Sequence, residues 1–311
     1  MRVVVAGLGV QGNKRRRIAG NDFVADVDPV NQEARYRSIV DVPIADYDAV
    51  LACIPDEPKV ELLTYCLGNR KHVLVEKPLW ATDESDIARL ETLARKNGVV
   101  CYTAYNHRFE PHFVHMRDLI ASGELGAIYS CRMFYGNGTA RLVRDSAWRD
   151  QGAGVLPDLG SHLLDTCRFW FGDITDKFGL VGVHGFENRA PDHVVINCEH
   201  SRPRIELEMT LLMWRNHFTC DILAEHGSAH IQSLCKWGPS AFTKRSRVLP
   251  SGRPPEETQT LVQDDPTWAL EYAHFKTLCL SGAKTDLSND IWLHRVLRRL
   301  SAEAMAAKGQ G

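Results

Sequence analysis

The chain has 311 residues, 44% of them hydrophobic, and a formal net charge of −2 at pH 7. This length is sufficient for a large core and is typical of two domains, and the small net charge would not attract nucleic acid or an anionic membrane. No apolar run approaches the roughly 20 residues of a membrane-spanning helix, so we expect neither nucleic acid nor a membrane as partner.

The first third of the chain alternates short apolar runs with segments of helical periodicity. Between the runs, residues 60–67 and 87–94 carry apolar side chains at helical spacing, and each segment ends near a glycine. Such alternation predicts βαβ units, and therefore an α/β domain with a parallel sheet covered on both faces. The expected strands are residues 2–6, 22–27, 49–54, 72–75 and 99–103.

After about residue 105 the chain changes to longer segments of alternating apolar and polar residues. They predict an α+β domain with a large, mostly antiparallel open sheet and an early helix at residues 156–171. We expect a first domain over residues 1–105 and a second over 106–311, with a closing helix at about 290–308 that packs back on the first. The expected strands are residues 128–135, 194–199, 205–211 and 218–223, and a proline-rich loop is expected at 246–257.

A glycine-rich turn directly follows the first expected strand. Gly7 permits a tight turn, Gly9 lets the backbone approach a pyrophosphate, and Gly12 lets helix and strand pack closely. The N-terminus of the next helix then faces the phosphates. The turn therefore predicts a Rossmann-type dinucleotide site, and its expected lining residues are Gly7, Gly9, Val10, Gln11 and Gly12.

An acidic residue in the second expected strand bears on the choice of cofactor. Asp26 lies about 20 residues beyond the first glycine, where a carboxylate accepts hydrogen bonds from the adenosine ribose hydroxyls. Because a carboxylate repels a 2′-phosphate, NAD(H) is favoured. Residues 14–17 are a lysine and three arginines, and an arginine there can reach a 2′-phosphate, so NADP(H) stays open as an alternative.

Three further motifs resemble one known family. Residues 72–79 contain Glu76-Lys77-Pro78 and resemble the Glu-Lys-Pro signature of the Gfo/Idh/MocA family of sugar and inositol dehydrogenases. Residues 105–111 resemble the opening of that family's second domain, and residues 152–165 its glycine-rich turn followed by Asp-x-x-x-His. The resemblance covers nearly the whole chain and implies hydride transfer between a nicotinamide and a CH–OH group.

The last motif also suits this chemistry by its residue types. Asp158, His162 and Asp165 are spaced i, i+4 and i+7, which predicts that they share one face of a single helix. Oxidation of a carbinol requires a group that accepts the hydroxyl proton, and histidine titrates near neutral pH. We expect His162 to be the general acid/base, and Asp158 to bind substrate or to orient His162.

The expected position of Lys77 completes the catalytic set. Lys77 follows the fourth expected strand, and open α/β sheets bind ligands beyond the carboxyl ends of their strands. The resemblance implies that its ammonium lies beside the nicotinamide and the substrate hydroxyl, where it stabilises a developing alkoxide. Further contacts implied by the resemblance are Ile54, Pro55, Glu76 and Lys77 to the cofactor, and Lys77, Asn106, Arg149, Asp158 and His162 to the substrate, with Arg108 and Trp148 bordering the pocket.

The chain departs from the family pattern at the cofactor contacts. The family has Thr-Pro-Asn and then a histidine after the third strand, whereas Ile54 replaces the threonine here and Lys59 stands near the missing histidine. The interval between Gly12 and Asp26 is short and implies a trimmed first helix.

Two other clusters contain residue types that bind ligands. His112 and His115 are three residues apart, but no third ligand is evident nearby, so no metal is expected. A basic cluster is typical of a solvated loop, with contact to a nucleotide-sugar diphosphate as the alternative. This cluster comprises Lys236, Trp237, Lys244, Arg245, Arg247 and Arg253.

The sequence also suggests an assembly and a location. Apolar residues 211–214, Leu211, Leu212, Met213 and Trp214, would suit burial of the sheet against a second subunit, so we expect a homodimer or homotetramer. The first residues lack the features of a signal peptide, and nine cysteines without a C-x-x-C pair suit reduced thiols, so a cytoplasmic location is expected.

Together these features predict an NAD(P)-dependent oxidoreductase that acts on a secondary hydroxyl or ketone of a sugar, sugar derivative, polyol or nucleotide sugar. Two alternatives stay open. One is a catalytically silent protein of the same fold that senses a dinucleotide or sugar, although such a regulator does not need both Lys77 and His162. The other is an imine or enone reductase, which would act on unsaturated or imino substrates and not on polyols.

Overall fold

The computed structural model describes residues 1–146 and 149–308, which form two compact units. The first comprises Met1–Asn106 and Pro266–His294, and the second comprises His107–Asp265 and the chain from Arg295 onward. The boundary expected at residue 105 stays a prediction, because compactness alone does not show that a segment folds independently.

The strands and helices follow in chain order. The strands are β1 Val3–Ala6, β2 Phe23–Val27, β3 Ala49–Ala52, β4 His72–Glu76, β5 Cys101–Ala104, β6 Ile128–Gly136, β7 Gly179–His184, β8 His193–Cys198, β9 Arg204–Thr210, β10 His217–Ala224, β11 Gly227–Gln232, β12 Ser240–Ser246 and β13 Glu256–Leu261. The α-helices are α1 Val10–Ala19, α2 Lys59–Gly68, α3 Glu84–Asn97, α4 Pro111–Ala121, α5 Ala140–Arg144, α6 Ser161–Phe171, α7 Thr267–Ser281 and α8 Ser288–Lys308.

The first unit contains the expected parallel sheet. Its five strands lie in the order β2-β1-β3-β4-β5, and every neighbouring pair is parallel. Val4 and Val50 point into one buried cluster, whereas Val3 and Leu51 point into another, so the sheet is covered on both faces. This two-sided burial explains why the strands are continuous apolar runs, and it confirms the predicted fold class of this half.

Helix α7 was not anticipated from the sequence. Pro266 precedes its first turn, and Gly282 ends it in a left-handed conformation with a φ of 65°. Tyr272 and Phe275 pack in the same cluster as Val3, so α7 belongs to the first unit although it lies far along the chain.

The second unit contains the expected large sheet. Its eight strands lie in the order β13-β12-β11-β10-β6-β9-β8-β7, and every neighbouring pair is antiparallel except β6 and β9. Most of the loop predicted at residues 246–257 connects β12 and β13, whereas its ends belong to these strands. The prediction of a mostly antiparallel open sheet is confirmed.

The two faces of this sheet differ in polarity because its side chains alternate. Met133 on β6 is buried, whereas its neighbour Arg132 forms ion pairs with Glu206 and Glu208 of β9 on the other face. Leu211, one of the residues expected at a subunit interface, is only 2% exposed and so is already covered within the unit, whereas Trp214 is fully exposed.

In the described parts of the chain, no helix has both the length and the apolar character needed to cross a membrane.

Candidate functional site

The glycine turn after β1 is closely packed at two of its three glycines. Gly7 has a φ of +89°, and a Cβ there would lie 2.3 Å from the carbonyl oxygen of Cys53. A Cβ on Gly12 would lie 1.7 Å from the carbonyl oxygen of Gly7. No side chain fits at either position, so these glycines let α1 pack directly on the end of the sheet.

Gly9 is different, because the space beside it is open. A Cβ on Gly9 would meet no atom within 4 Å, and Gly9 is the residue that precedes the first turn of α1. Val10 and Gln11, which begin the helix, are exposed. An accessible backbone at the N-terminus of a ten-residue helix suits a pyrophosphate, so this turn fits the dinucleotide that the sequence predicts.

Asp28, which the sequence analysis did not single out, holds the turn in place. Its Oδ2 accepts a hydrogen bond of 2.8 Å from the backbone N–H of Leu8. Its Oδ1 accepts from the N–H groups of Val30 and Asn31, an arrangement typical of aspartate at a turn. Partial burial acts to raise the pKa of Asp28, but these N–H groups outweigh it, so the pKa lies below its ordinary value.

Asp26, the expected ribose ligand, lies in β2 beside an arginine. Its side chain is 6% exposed, its Oδ1 accepts a 2.8 Å hydrogen bond from the N–H of Arg35, and its Oδ2 lies 3.3 Å from Nη1 of Arg16. Arg16 belongs to the basic run that left NADP(H) open and is half-exposed. An acid and an arginine therefore stand together where the cofactor's ribose is expected.

The remaining cofactor residues predicted in the first unit lie at one edge of its sheet. Ile54 and Pro55 follow β3, Glu76 is the last residue of β4, and Lys77 comes directly after it. Parallel strands end at the same edge, so these residues lie at the edge that also carries the glycine turn after β1.

A buried ion cluster supports Glu76, and the sequence analysis missed it. Arg15 is 1% exposed, with its Nε 2.7 Å from Glu76 and its Nη2 2.7 Å from the fully buried Glu271 of α7. Burial acts to lower the pKa of Arg15, but the two carboxylates outweigh it and raise that pKa. Trp268 packs its ring on Arg15 and Lys14. The neighbour of Lys77 is thus fixed by α1 and α7.

Asn106, an expected substrate contact, is a buried residue of the first unit. Its side-chain amide donates a 2.9 Å hydrogen bond to the hydroxyl of Thr267, at the start of α7. The first unit consists of two chain segments, Met1–Asn106 and Pro266–His294, and this bond links the end of one to the start of the other.

In the second unit, Asp158, His162 and Asp165 lie in one continuous helical segment, as the sequence predicts, but its first part is not a regular α-helix. Residues Leu156–Gly160 form a π-helical turn, and α6 begins only at Ser161. The wider turn changes the angular position of Asp158, whose side chain is 43% exposed, whereas His162 and Asp165 are buried.

Asp165 is part of the scaffold. It accepts hydrogen bonds from Nε and Nη2 of Arg108, at 2.9 and 2.6 Å, and is 1% exposed. This two-point geometry is typical of a strong arginine–carboxylate pair. It joins α6 to the segment before α4 and occupies Arg108, which the resemblance had placed at the border of the pocket.

His162 is held in an aromatic cluster. The ring of His107 stacks on it with centroids 4.0 Å apart and planes inclined by 20°, and the ring of Tyr135 lies at 6.2 Å. His107 is 2% exposed and His162 is 8% exposed. A buried imidazole packed this way keeps a fixed orientation, as a general acid/base requires.

Lys236 contacts two members of this aromatic cluster. Lys236 Nζ donates a 3.1 Å hydrogen bond to the hydroxyl of Tyr135 and lies 3.4 Å from Nε2 of His107. The same ammonium lies 4.7 Å from the ring centroid of Trp237. The basic cluster weighed from the sequence is dispersed, because Lys244 and Arg245 pair with glutamates elsewhere on the sheet.

Two expected substrate residues of the second unit lie close together. Arg149 Nη2 is 3.9 Å from Oδ2 of Asp158, and both side chains are partly exposed. Trp148 lies outside the described residues. Within the described residues, no group of three or more histidine, cysteine, aspartate or glutamate side chains is placed to bind a metal ion.

Comparison with protein families gives two matches that together span well over half of the chain. Residues 2–105 match the model described as "Oxidoreductase family, NAD-binding Rossmann fold". Residues 113–230 match the GFO/IDH/MocA C-terminal domain.

Curated relatives match parts of the chain. Levoglucosan dehydrogenase of Pseudarthrobacter phenanthrenivorans is 30% identical over 150 residues, which are 47% of this chain and 38% of that protein. The NADP(+)-dependent scyllo-inositol 2-dehydrogenase of Bacillus subtilis is 30% identical over 148 residues, 42% of this chain and 40% of that protein. The chain therefore spans less than half the length of these relatives.

Solved structures match nearly the whole chain. Levoglucosan dehydrogenase in complex with NADH and L-sorbose has a TM-score of 0.82 at 17% identity, covering 99% of this chain and 97% of that one. An oxidoreductase from Agrobacterium radiobacter in complex with NAD+, L-tartaric acid and magnesium has a TM-score of 0.80 at 14% identity, covering 99% and 97%. At sequence identities of 14% and 17%, this structural similarity supports the fold alone.

Proposed function

Because the chain belongs to the Gfo/Idh/MocA family of oxidoreductases, we propose that it transfers a hydride between a nicotinamide and a secondary hydroxyl or ketone of a sugar, sugar derivative or polyol. The observation that carries this proposal is the position of Lys77. It lies at the same sheet edge as the glycine turn, directly after Glu76, which Arg15 fixes. A cation at the carboxyl edge of a dinucleotide-binding sheet suits the stabilisation of an alkoxide.

The residues of the first unit have the properties needed to hold the cofactor. When bound, NAD(P) supplies the hydride acceptor or donor. The backbone at Gly9, Val10 and Gln11 would bind the pyrophosphate, and Asp26 the adenosine ribose. We propose NAD(H) as the preferred cofactor because Asp26 contributes a carboxylate there, although Arg16 reduces its negative field.

We assign the developing charge and the proton to two side chains. Lys77 stabilises the substrate oxygen as its proton leaves, which lowers the barrier to oxidation of the carbinol. His162 accepts that proton in the direction of oxidation and returns it in the direction of reduction. Asp158 and Arg149 bind polar groups of the substrate, and a substrate contact of Asn106 stays a prediction.

We also propose a homo-oligomer and a cytoplasmic location. The open face of the eight-stranded sheet offers a broad surface for a second subunit, and Trp214 adds an exposed apolar side chain. The nine cysteines, all free thiols, suit a reducing compartment.

The proposal is tested with a panel of sugars, inositols, sugar acids and nucleotide sugars. Each is mixed with the protein and NAD or NADP, and the absorbance of the reduced nicotinamide is followed. We expect reduction with at least one secondary alcohol and none without it. Binding of cofactor with no turnover across the panel would contradict the proposed activity and favour a regulatory protein of the same fold.

A further inference from the structure

Lys236 lies beside the proposed general acid/base but has no role in the proposed hydride transfer. It belongs to a short turn, Cys235–Trp237, between β11 and β12. Its ammonium contacts the hydroxyl of Tyr135 and Nε2 of His107, and it lies over the ring of Trp237. These contacts fix its position.

The charge of Lys236 is not neutralised by a direct ion pair. Throughout residues 1–146 and 149–308, no carboxylate oxygen lies within 4.0 Å of its Nζ. By contrast, Lys244 on the next strand has Glu124 at 2.7 Å and Glu257 at 3.4 Å.

The acid beneath the turn is engaged elsewhere. Glu110 is 1% exposed and accepts hydrogen bonds from the N–H and the thiol of Cys235. Burial raises the pKa of Glu110, against the two hydrogen bonds from Cys235 and the charge of Lys236, which act to lower it. Both oxygens of Glu110 are therefore occupied by Cys235, and Glu110 makes no direct ion pair with Lys236.

A lysine ammonium has three N–H donors, and the contacts of Lys236 with His107 and Tyr135 use two of them. A third donor at a fixed position suits an anionic oxygen, because a lysine binds carboxylate or phosphate as a point charge. His107 contacts both Lys236 and His162, so an anion bound by Lys236 would lie in the same cluster as the group that handles the proton.

We propose that Lys236 binds an anionic substituent of the substrate, so that the substrate class is an acidic sugar derivative bearing a carboxylate or a phosphate. This proposal rests on the proposed function and deepens it. The carboxylate or phosphate accepts a hydrogen bond from Lys236, and the reacting hydroxyl lies towards His162. Tyr135 and His107 position the ammonium, and neither is a carboxylate that would pair with it.

Equilibrium binding tests the proposal independently of turnover. Isothermal titration calorimetry measures the affinity of the NADH-bound protein for D-glucuronate, D-glucose 6-phosphate and D-glucose. We expect at least one anionic sugar to bind about 10-fold to 100-fold more tightly than glucose. Comparison of the two anions distinguishes a carboxylate site from a phosphate site.

Variants connect this preference to one side chain. Lys236→Met should remove most of the preference for the anion, Lys236→Arg should retain part of it, and Lys244→Met, the paired lysine on β12, should bind as the wild type does. NADH affinity and thermal unfolding of each variant report on folding. Equal affinity for glucose and both anions, or an unchanged preference in Lys236→Met, would overturn the proposal. Anion binding without hydride transfer would contradict the proposed function alone.

Discussion

The imidazole of His107 lies flat against that of His162, with ring centroids 4.0 Å apart. Nε2 of His107 also contacts Lys236 Nζ, and His107 is buried. It therefore restricts the ring that we propose as the general acid/base, and it acts as a positioning residue.

Replacement of His107 should separate positioning from packing. We expect His107→Ala to lower kcat by roughly 10-fold to 100-fold, because His162 then gains rotational freedom. His107→Phe, which preserves a stacked ring, should restore most of the rate. The measurements are kcat and KM as a function of pH with the sugar that the panel identifies. If the phenylalanine variant is as slow as the alanine variant, stacking does not position His162.

The buried cluster of Arg15, Glu76 and Glu271 should matter strongly for stability. Arg15→Met leaves buried carboxylates without their cation, and we expect it to lower the free energy of unfolding by about 3–5 kcal/mol. Urea denaturation measures the change. Arg17→Met, at an exposed position of the same helix, is the control and should change stability by less than about 0.5 kcal/mol. A loss as small as that of the control would show that the cluster does not stabilise the fold.

Two glycines of the same turn should respond differently to alanine. Gly12→Ala should destabilise the protein, because its Cβ would lie 1.7 Å from a carbonyl oxygen. Gly9→Ala should fold with a change below about 1 kcal/mol. Its methyl group fills the open space beside the turn, so NADH affinity should fall by roughly tenfold or more.

Thermal unfolding and NADH fluorescence titration measure these two effects. Wild-type NADH affinity in Gly9→Ala would mean that the open space is not the pyrophosphate site.

The pH dependence of stability should reveal Asp28. Its pKa is below the ordinary value in the folded protein, so its stabilising effect is complete above the unfolded-state pKa of about 3.9 and is lost as pH falls through the folded-state pKa. The stability difference between wild type and Asp28→Asn should therefore be constant near neutral pH and shrink in acid. Urea denaturation at successive pH values measures it, with the exposed Glu33→Gln as the control. A difference that persists in strong acid would contradict the account.

The sequence predicted the elements whose pattern is local. The buried strands of the first sheet are short apolar runs between helical segments, and the glycine turn has a fixed spacing, so both were predicted close to their observed positions. The sequence did not predict helix α7, because its apolar residues do not form a clear stripe along one face. Pro266 and Gly282 nevertheless mark its ends.

The parts of the site that the sequence did not predict depend on contacts between distant segments. Arg15 meets Glu271, and His107 meets Lys236, across large sequence separations that periodicity does not report. The spacing of Asp158 and His162 predicted a regular helix, whereas the structure has a π-helical turn at Asp158. Neither kind of feature leaves a spacing pattern in one sequence.

The most direct test of the central claim follows a labelled hydrogen from substrate to cofactor. A sugar or polyol deuterated at its reacting carbinol carbon is incubated with the protein and NAD, and the reduced cofactor is analysed by mass spectrometry. We predict that one deuterium appears in the nicotinamide and that Lys77→Ala and His162→Ala each slow its appearance by roughly a hundredfold. Reduced cofactor without deuterium, or equal transfer rates in both variants and the wild type, would contradict the account.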